Sequence, residues 1–110
     1  MSFKIFNKNI NMYKTYSETI KISCDLNPNI YLSKIILEDN DLSLKLPKGA
    51  LGNSKMIQIV SNKNNKNVEI IYNDGWSGNI NSQYLFNTGD FISFTATVKG
   101  WHMNTIKIDI

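Results

Sequence analysis

Residues 42–103, LSLKLPKGALGNSKMIQIVSNKNNKNVEIIYNDGWSGNINSQYLFNTGDFISFTATVKGWHM, decide the fold. Apolar side chains recur there at every second position in short runs, as in Leu42-Ser43-Leu44-Lys45-Leu46. A strand sends alternate side chains to opposite faces, so each run predicts a half-buried β-strand. Gly, Asn, Asp and Pro break the runs. Asp74-Gly75 supplies the positive φ of a tight turn, and Asn87-Thr88-Gly89-Asp90 predicts a second hairpin turn. The most regular run is Phe91 to Val98, with Ile92, Phe94, Ala96 and Val98 on one face and Ser93, Thr95 and Thr97 on the other. Together these features read as a meander of strands.

The same signals continue outside this stretch. Ile20, Ile22 and Cys24 alternate, and Asp25-Leu26-Asn27-Pro28-Asn29 is a turn in which Pro presets φ. Ile35, Ile36 and Leu37 are consecutive, which predicts a strand buried on both faces within residues 30–38. Pro47 to Lys55 predicts a loop or a single helical turn. At the far end Ile106, Ile108 and Ile110 alternate with Lys107 and Asp109. No segment sustains a helical period, and no internal repeat is evident. About eight strands with turn signals roughly every 8–12 residues predict an all-β domain, a single small jelly-roll-like β-sandwich over residues 17–110. Residues 1–16 read as a short N-terminal arm or as an edge strand of that domain. As an arm, its candidate anchor is Phe3, Ile5 and Phe6.

Composition narrows the function classes. The 110 residues suffice for one domain. Every one of the 12 cationic residues is Lys, and Asn and Ile are abundant, as AT-rich codon usage favours. Arg is the side chain that grips guanine or phosphate with two parallel bonds, and Lys replaces it only as a point charge. A net charge of +3 spread evenly along the chain forms no basic patch, so nucleic-acid binding is not expected. The lone Cys24 excludes an internal disulfide and reads as a small buried hydrophobe. No apolar run approaches the roughly 18 residues of a membrane span, so synthesis in a cytoplasm without membrane insertion is expected.

Catalytic constellations are not apparent. His102 is the single histidine; Cys24 lies in a strand that buries it and no Ser sits on a Gly-flanked elbow, so His102 reads as a rim residue. One His and one Cys far apart in sequence do not make a transition-metal site, and no cofactor or metal is expected. Trp76 lies between glycines in Asp74-Gly75-Trp76-Ser77-Gly78. Exposed there, it would stack on a sugar ring or anchor a protein contact; folded back, it would plug the open end of the sandwich. Tyr72 and Tyr84 are candidates to line the same end.

The arrangement from Leu42 to Trp101 resembles a small β-sandwich module of bacteriophage virion appendages: head fibres, capsid decoration proteins and tail-fibre tips. The resemblance rests on Leu44-Lys45-Leu46-Pro47 leading into a loop, then strands like Met56-Ile57-Gln58-Ile59-Val60 and Val68-Glu69-Ile70-Ile71. A Gly-Asp turn opens Phe91-Ile92-Ser93-Phe94-Thr95-Ala96, and the pair Gly100-Trp101 follows. It covers a little over half the chain and implies a non-enzymatic virion protein, a capsid decoration or head-fibre subunit. The partners it implies are a major capsid or other virion protein and further copies of the chain, as a homotrimer. A second implied reading is a tail-fibre tip that binds a host-surface glycan through Trp76, Tyr72 and Tyr84. Apart from the resemblance, a small host-directed inhibitor protein from a phage or mobile element, not found in particles, is a third reading.

Overall fold

The computed structural model describes residues 16–73 and 81–109. Among these residues there is no α-helix, and their fold is all-β. The nine strands among them are β1 (Ser17–Ile20), β2 (Cys24–Asp25), β3 (Leu32–Leu37), β4 (Leu42–Leu46), β5 (Ser54–Asn62), β6 (Val68–Tyr72), β7 (Ser82–Leu85), β8 (Phe91–Thr97) and β9 (Gly100–Lys107). They form two mixed sheets, one of five strands in the order β1-β3-β5-β8-β9 and one of four in the order β2-β4-β6-β7.

The expected meander is absent from the first six strands. The chain alternates between the sheets, so β1 pairs with β3 and β3 with β5, all in parallel, while β2 pairs with β4 and β4 with β6, also in parallel. Residues 17–72 thus wind through three coils, each with one strand in either sheet. Hairpin-type pairing begins only afterwards, where β7 adds antiparallel to β6, β8 to β5, and β9 to β8. The turns after β1 to β5 carry the chain across to the facing sheet and do not fold it back on the strand just made. Periodicity reports which face is buried and is silent on the partner.

Both sheets turn their apolar faces to one core. Ile35, Ile57, Ile59, Ile92 and Phe94 from the larger sheet meet Leu42, Leu44, Leu46, Val68, Ile70 and Leu85 from the smaller. Each such side chain, once removed from water, contributes about 1.5–3 kcal/mol before the entropy of ordering is subtracted. The strand boundaries explain several departures from strict alternation. Val98, read as inward-facing, is 79% exposed because β8 ends at Thr97 and Val98 lies in the tight turn to Gly100, whose φ is 117°. Ile22, read in line with Ile20 and Cys24, is exposed because it lies between β1 and β2. Ile36 is half-buried, so β3 is fully covered only on the side of Ile35 and Leu37.

Candidate functional site

Of the sequence-derived contact residues, only Tyr72 and Tyr84 lie within the described part of the chain. Trp76, Phe3, Ile5 and Phe6 lie outside the described residues. Tyr72 and Tyr84 do not line a common surface. Tyr72 ends β6 on its inward side, is 2% exposed, and packs its ring against Phe94 with centroids 4.9 Å apart. Burial raises its pKa. Tyr84 pairs across the ladder with Glu69 on the opposite, outward face. It is 44% exposed and lies nearly parallel to the equally exposed Phe86, with centroids 6.3 Å apart. The alternation Val68-Glu69-Ile70-Ile71-Tyr72 already puts Tyr72 in phase with the inward Val68 and Ile70.

Two buried charges form the most organised polar chemistry among the described residues, and residue patterning alone singled out neither. Lys55 stands on β5 in phase with the inward Ile57 and Ile59, and its side chain is fully buried. Its Nζ donates to the carbonyls of Asn27 at 2.9 Å and Ile30 at 2.8 Å and to Ser33 Oγ at 2.6 Å. Three acceptors match the three protons of an ammonium. Burial lowers its pKa to about 8, partly offset by Glu18 and Cys24, so the group is still charged at neutral pH. The thiol of Cys24 is pushed up by burial first, then by Glu18 and Asp25, against the opposing effect of Lys55. Asn53, two residues before Lys55, adds contacts to Pro28 O and Asn29 Oδ1. Lys55 therefore works as an internal tie that holds the 27–30 turn onto β5.

Asp90 plays the matching part at the β7–β8 turn. Its carboxylate is fully buried, with Oδ2 accepting from the amides of Phe86 (3.0 Å) and Asn87 (2.8 Å) and Oδ1 from that of Asp109 (2.9 Å). Burial alone would raise its pKa, but the three amides and the nearby Lys107 outweigh it and hold the value below the ordinary one. The backbone of the same turn is tied to β5 through Gly89 N to Ile59 O and Ile59 N to Asp90 O. Gly89 takes the positive φ, 96°, that this turn needs.

Trp101 joins distant parts of the quoted pattern. The indole is fully buried, donates from Nε1 to Pro47 O at 2.8 Å, and meets the Phe94 ring edge-on. Gly49 passes so close that a Cβ there would lie 2.5 Å from Trp101 Cζ2. The loop that follows Pro47 and the start of β9 at Trp101 are thus in direct contact.

The outer surface carries the remaining features. Leu51 is 73% exposed on a loop stitched to β8 through Gly52 N to Ala96 O and Ala96 N to Asn53 O. That stitching sets Leu51 at the same end of the molecule as Val98. Between the ends of β3 and β5 lies a cleft of about 230 Å³ bordered by Glu38, Asp39, Ser61, Lys63 and Asn64. Asn64 Nδ2 spends itself there on Glu38 O. No three His, Cys, Asp or Glu side chains among the described residues are grouped to hold a metal ion. His102 is exposed on β9. No family model matches the chain, and neither a curated protein nor a solved structure does.

Proposed function

We propose that this chain is a non-enzymatic structural protein of a bacteriophage virion, a capsid decoration or head-fibre subunit that binds the capsid and further copies of itself. The observation that carries the reading is the apolar end formed by Leu51 and Val98. Two largely exposed aliphatic side chains, on loops at one end of β8, suit a surface that becomes buried on assembly. The organised polar groups of the described residues, Lys55 and Asp90, are engaged in hydrogen bonds inside the fold. The resemblance of residues 42–101 to virion appendage modules supplies the class. In this reading the two sheets make a small sandwich, assembly is trimeric, and cyclic closure covers edge strands that otherwise invite aggregation.

The test is immunogold labelling of particles purified from the source culture. Gold over the head is the expected result, and unlabelled particles from a lysate that contains the protein would overturn the proposal. The second reading, a glycan-binding tip, is favoured by the exposed and nearly parallel Tyr84 and Phe86, since aromatic faces stack on sugar rings. It predicts gold at the tail tip and glycan-array binding that Tyr84→Ala abolishes.

A further inference from the structure

The cleft at the ends of β3 and β5 has a cause in the ladder. Ile35 pairs with Ile59, but Ile36 pairs with Ser61, so Val60 is an extra residue that breaks the register. Such bulges are rare between parallel strands, and they recur beside binding sites, where they re-aim side chains. The last pair of the ladder is Leu37 with Asn62. The next residues along, Glu38 and Lys63, are exposed, and both border the cleft.

Hydrogen bonds fix the walls. Asn62 Nδ2 donates to Lys66 O at 2.7 Å and to Phe86 O, and its Oδ1 accepts from Lys66 N at 3.0 Å. Asn64 Nδ2 donates to Glu38 O at 2.9 Å, and Asn67 N to Asp41 Oδ1 at 3.0 Å. Asn65 takes a positive φ, 53°, which Asn tolerates better than most residues. Walls held in advance spare a ligand the cost of ordering them. By contrast, no described residue hydrogen-bonds or ion-pairs with the side chains of Glu38, Asp39, Ser61 or Lys63. Half-buried Ile36 adds an apolar part to the lining.

This lining selects by charge. Two carboxylates repel an anion, Lys63 repels a simple cation, and an uncharged apolar molecule engages none of the three. A molecule with both charges a few bonds apart satisfies both sides. The volume of about 230 Å³ is below the roughly 300–1,000 Å³ of drug-sized ligand sites, which suits a single amino acid. We propose that the cleft binds a free aliphatic α-amino acid as its zwitterion. The ammonium lies towards Glu38 and Asp39, the carboxylate towards Lys63 and the side chain on Ile36. The cleft is at the opposite end of β5 from Leu51, so the amino acid does not compete with the apolar end, and the site stands whether or not the virion assignment does.

Amide spectra of the isotope-labelled full chain, titrated with L-leucine, test it. Saturable shifts at Ser61, Lys63 and Asn64 are expected at millimolar leucine. Isopentylamine lacks the carboxylate and isocaproate lacks the ammonium, and each should bind at least about tenfold more weakly. The same loss is expected for leucine with Lys63→Ala and with the double variant Glu38→Gln and Asp39→Asn. These three side chains are exposed, and unchanged Ile57 and Ile59 signals verify the fold of each variant. Lys66→Ala, on the same loop but outside the cleft lining, keeps the parent affinity. Shifts that never saturate would overturn the proposal, as would half-charged analogues that bind as tightly as leucine or binding indifferent to the variants. Equal shifts with methyl glucoside would also overturn it, by making the cleft a sugar site.

Discussion

Gly49→Ala isolates the contact between the Pro47 loop and Trp101. The added methyl carbon would lie 2.5 Å from Cζ2 and 2.7 Å from Cη2 of the indole. Carbon atoms rest at about 3.5–4.0 Å, so the overlap is roughly 1 Å. The ring has little room to retreat, being tied through Nε1 to Pro47 O and packed on Phe94. Either the core repacks, at about 1–3 kcal/mol, or the loop lifts and gives up the indole hydrogen bond at about 1 kcal/mol together with its packing. Replacing Gly by Ala also narrows the unfolded ensemble, which returns about 0.4–1 kcal/mol. The net expectation is a loss of about 1–3 kcal/mol, read as a lower urea midpoint at unchanged m-value. Trp101→Phe removes the two ring atoms that collide, so the double variant should be more stable than the sum of the singles by at least about 1 kcal/mol. A Gly49→Ala protein as stable as the parent, or strictly additive singles, would refute this account of the loop.

Three further perturbations address the buried charges and the exposed end. The pKa of Lys55 falls to about 8 in the fold from an ordinary 10.5, so between these values the unfolded chain holds the extra proton. Stability should therefore rise as pH climbs from about 8 towards 10.5, and Lys55→Met should abolish that rise in urea titrations at stepped pH. Asp90→Asn takes the charge from a carboxylate that accepts three amides and is expected to cost about 2–4 kcal/mol at neutral pH. Because the folded pKa of Asp90 is depressed, its contribution is present above the unfolded value, about 3.9, and fades as pH falls through the folded one. The variant should accordingly flatten the acid limb of the stability curve. Leu51→Ser combined with Val98→Ser should leave the unfolding midpoint within about 0.5 kcal/mol of the parent, as substitutions at exposed sites do. In a particle-binding assay the same pair should abolish attachment, and undiminished binding would remove that end from the interface.

Period-two alternation is a local property of a strand, so the residue pattern alone gives an all-β fold, the course of most strands and most of the side chains that face the core, Val98, Ile22 and Lys55 excepted. It also marked the tight turn at Asn87 to Asp90, whose Gly89 takes the needed positive φ. Lys55 was legible in principle, standing in phase with Ile57 and Ile59, but a charged residue next to a Gly- and Asn-rich loop reads as exposed until its three acceptors are seen. Those acceptors come from residues 27–33, more than twenty positions away, and no local pattern announces them. Asp90 likewise looks like an ordinary turn residue until Asp109 arrives from the far end of the chain. Strand pairing is settled in three dimensions and not by local pattern. The alternation that makes Ile20, Ile35 and Ile59 inward is the same for an antiparallel hairpin and for a parallel coil. Which one forms depends on whether each turn reverses the chain beside its own strand or carries it across the core to the other sheet.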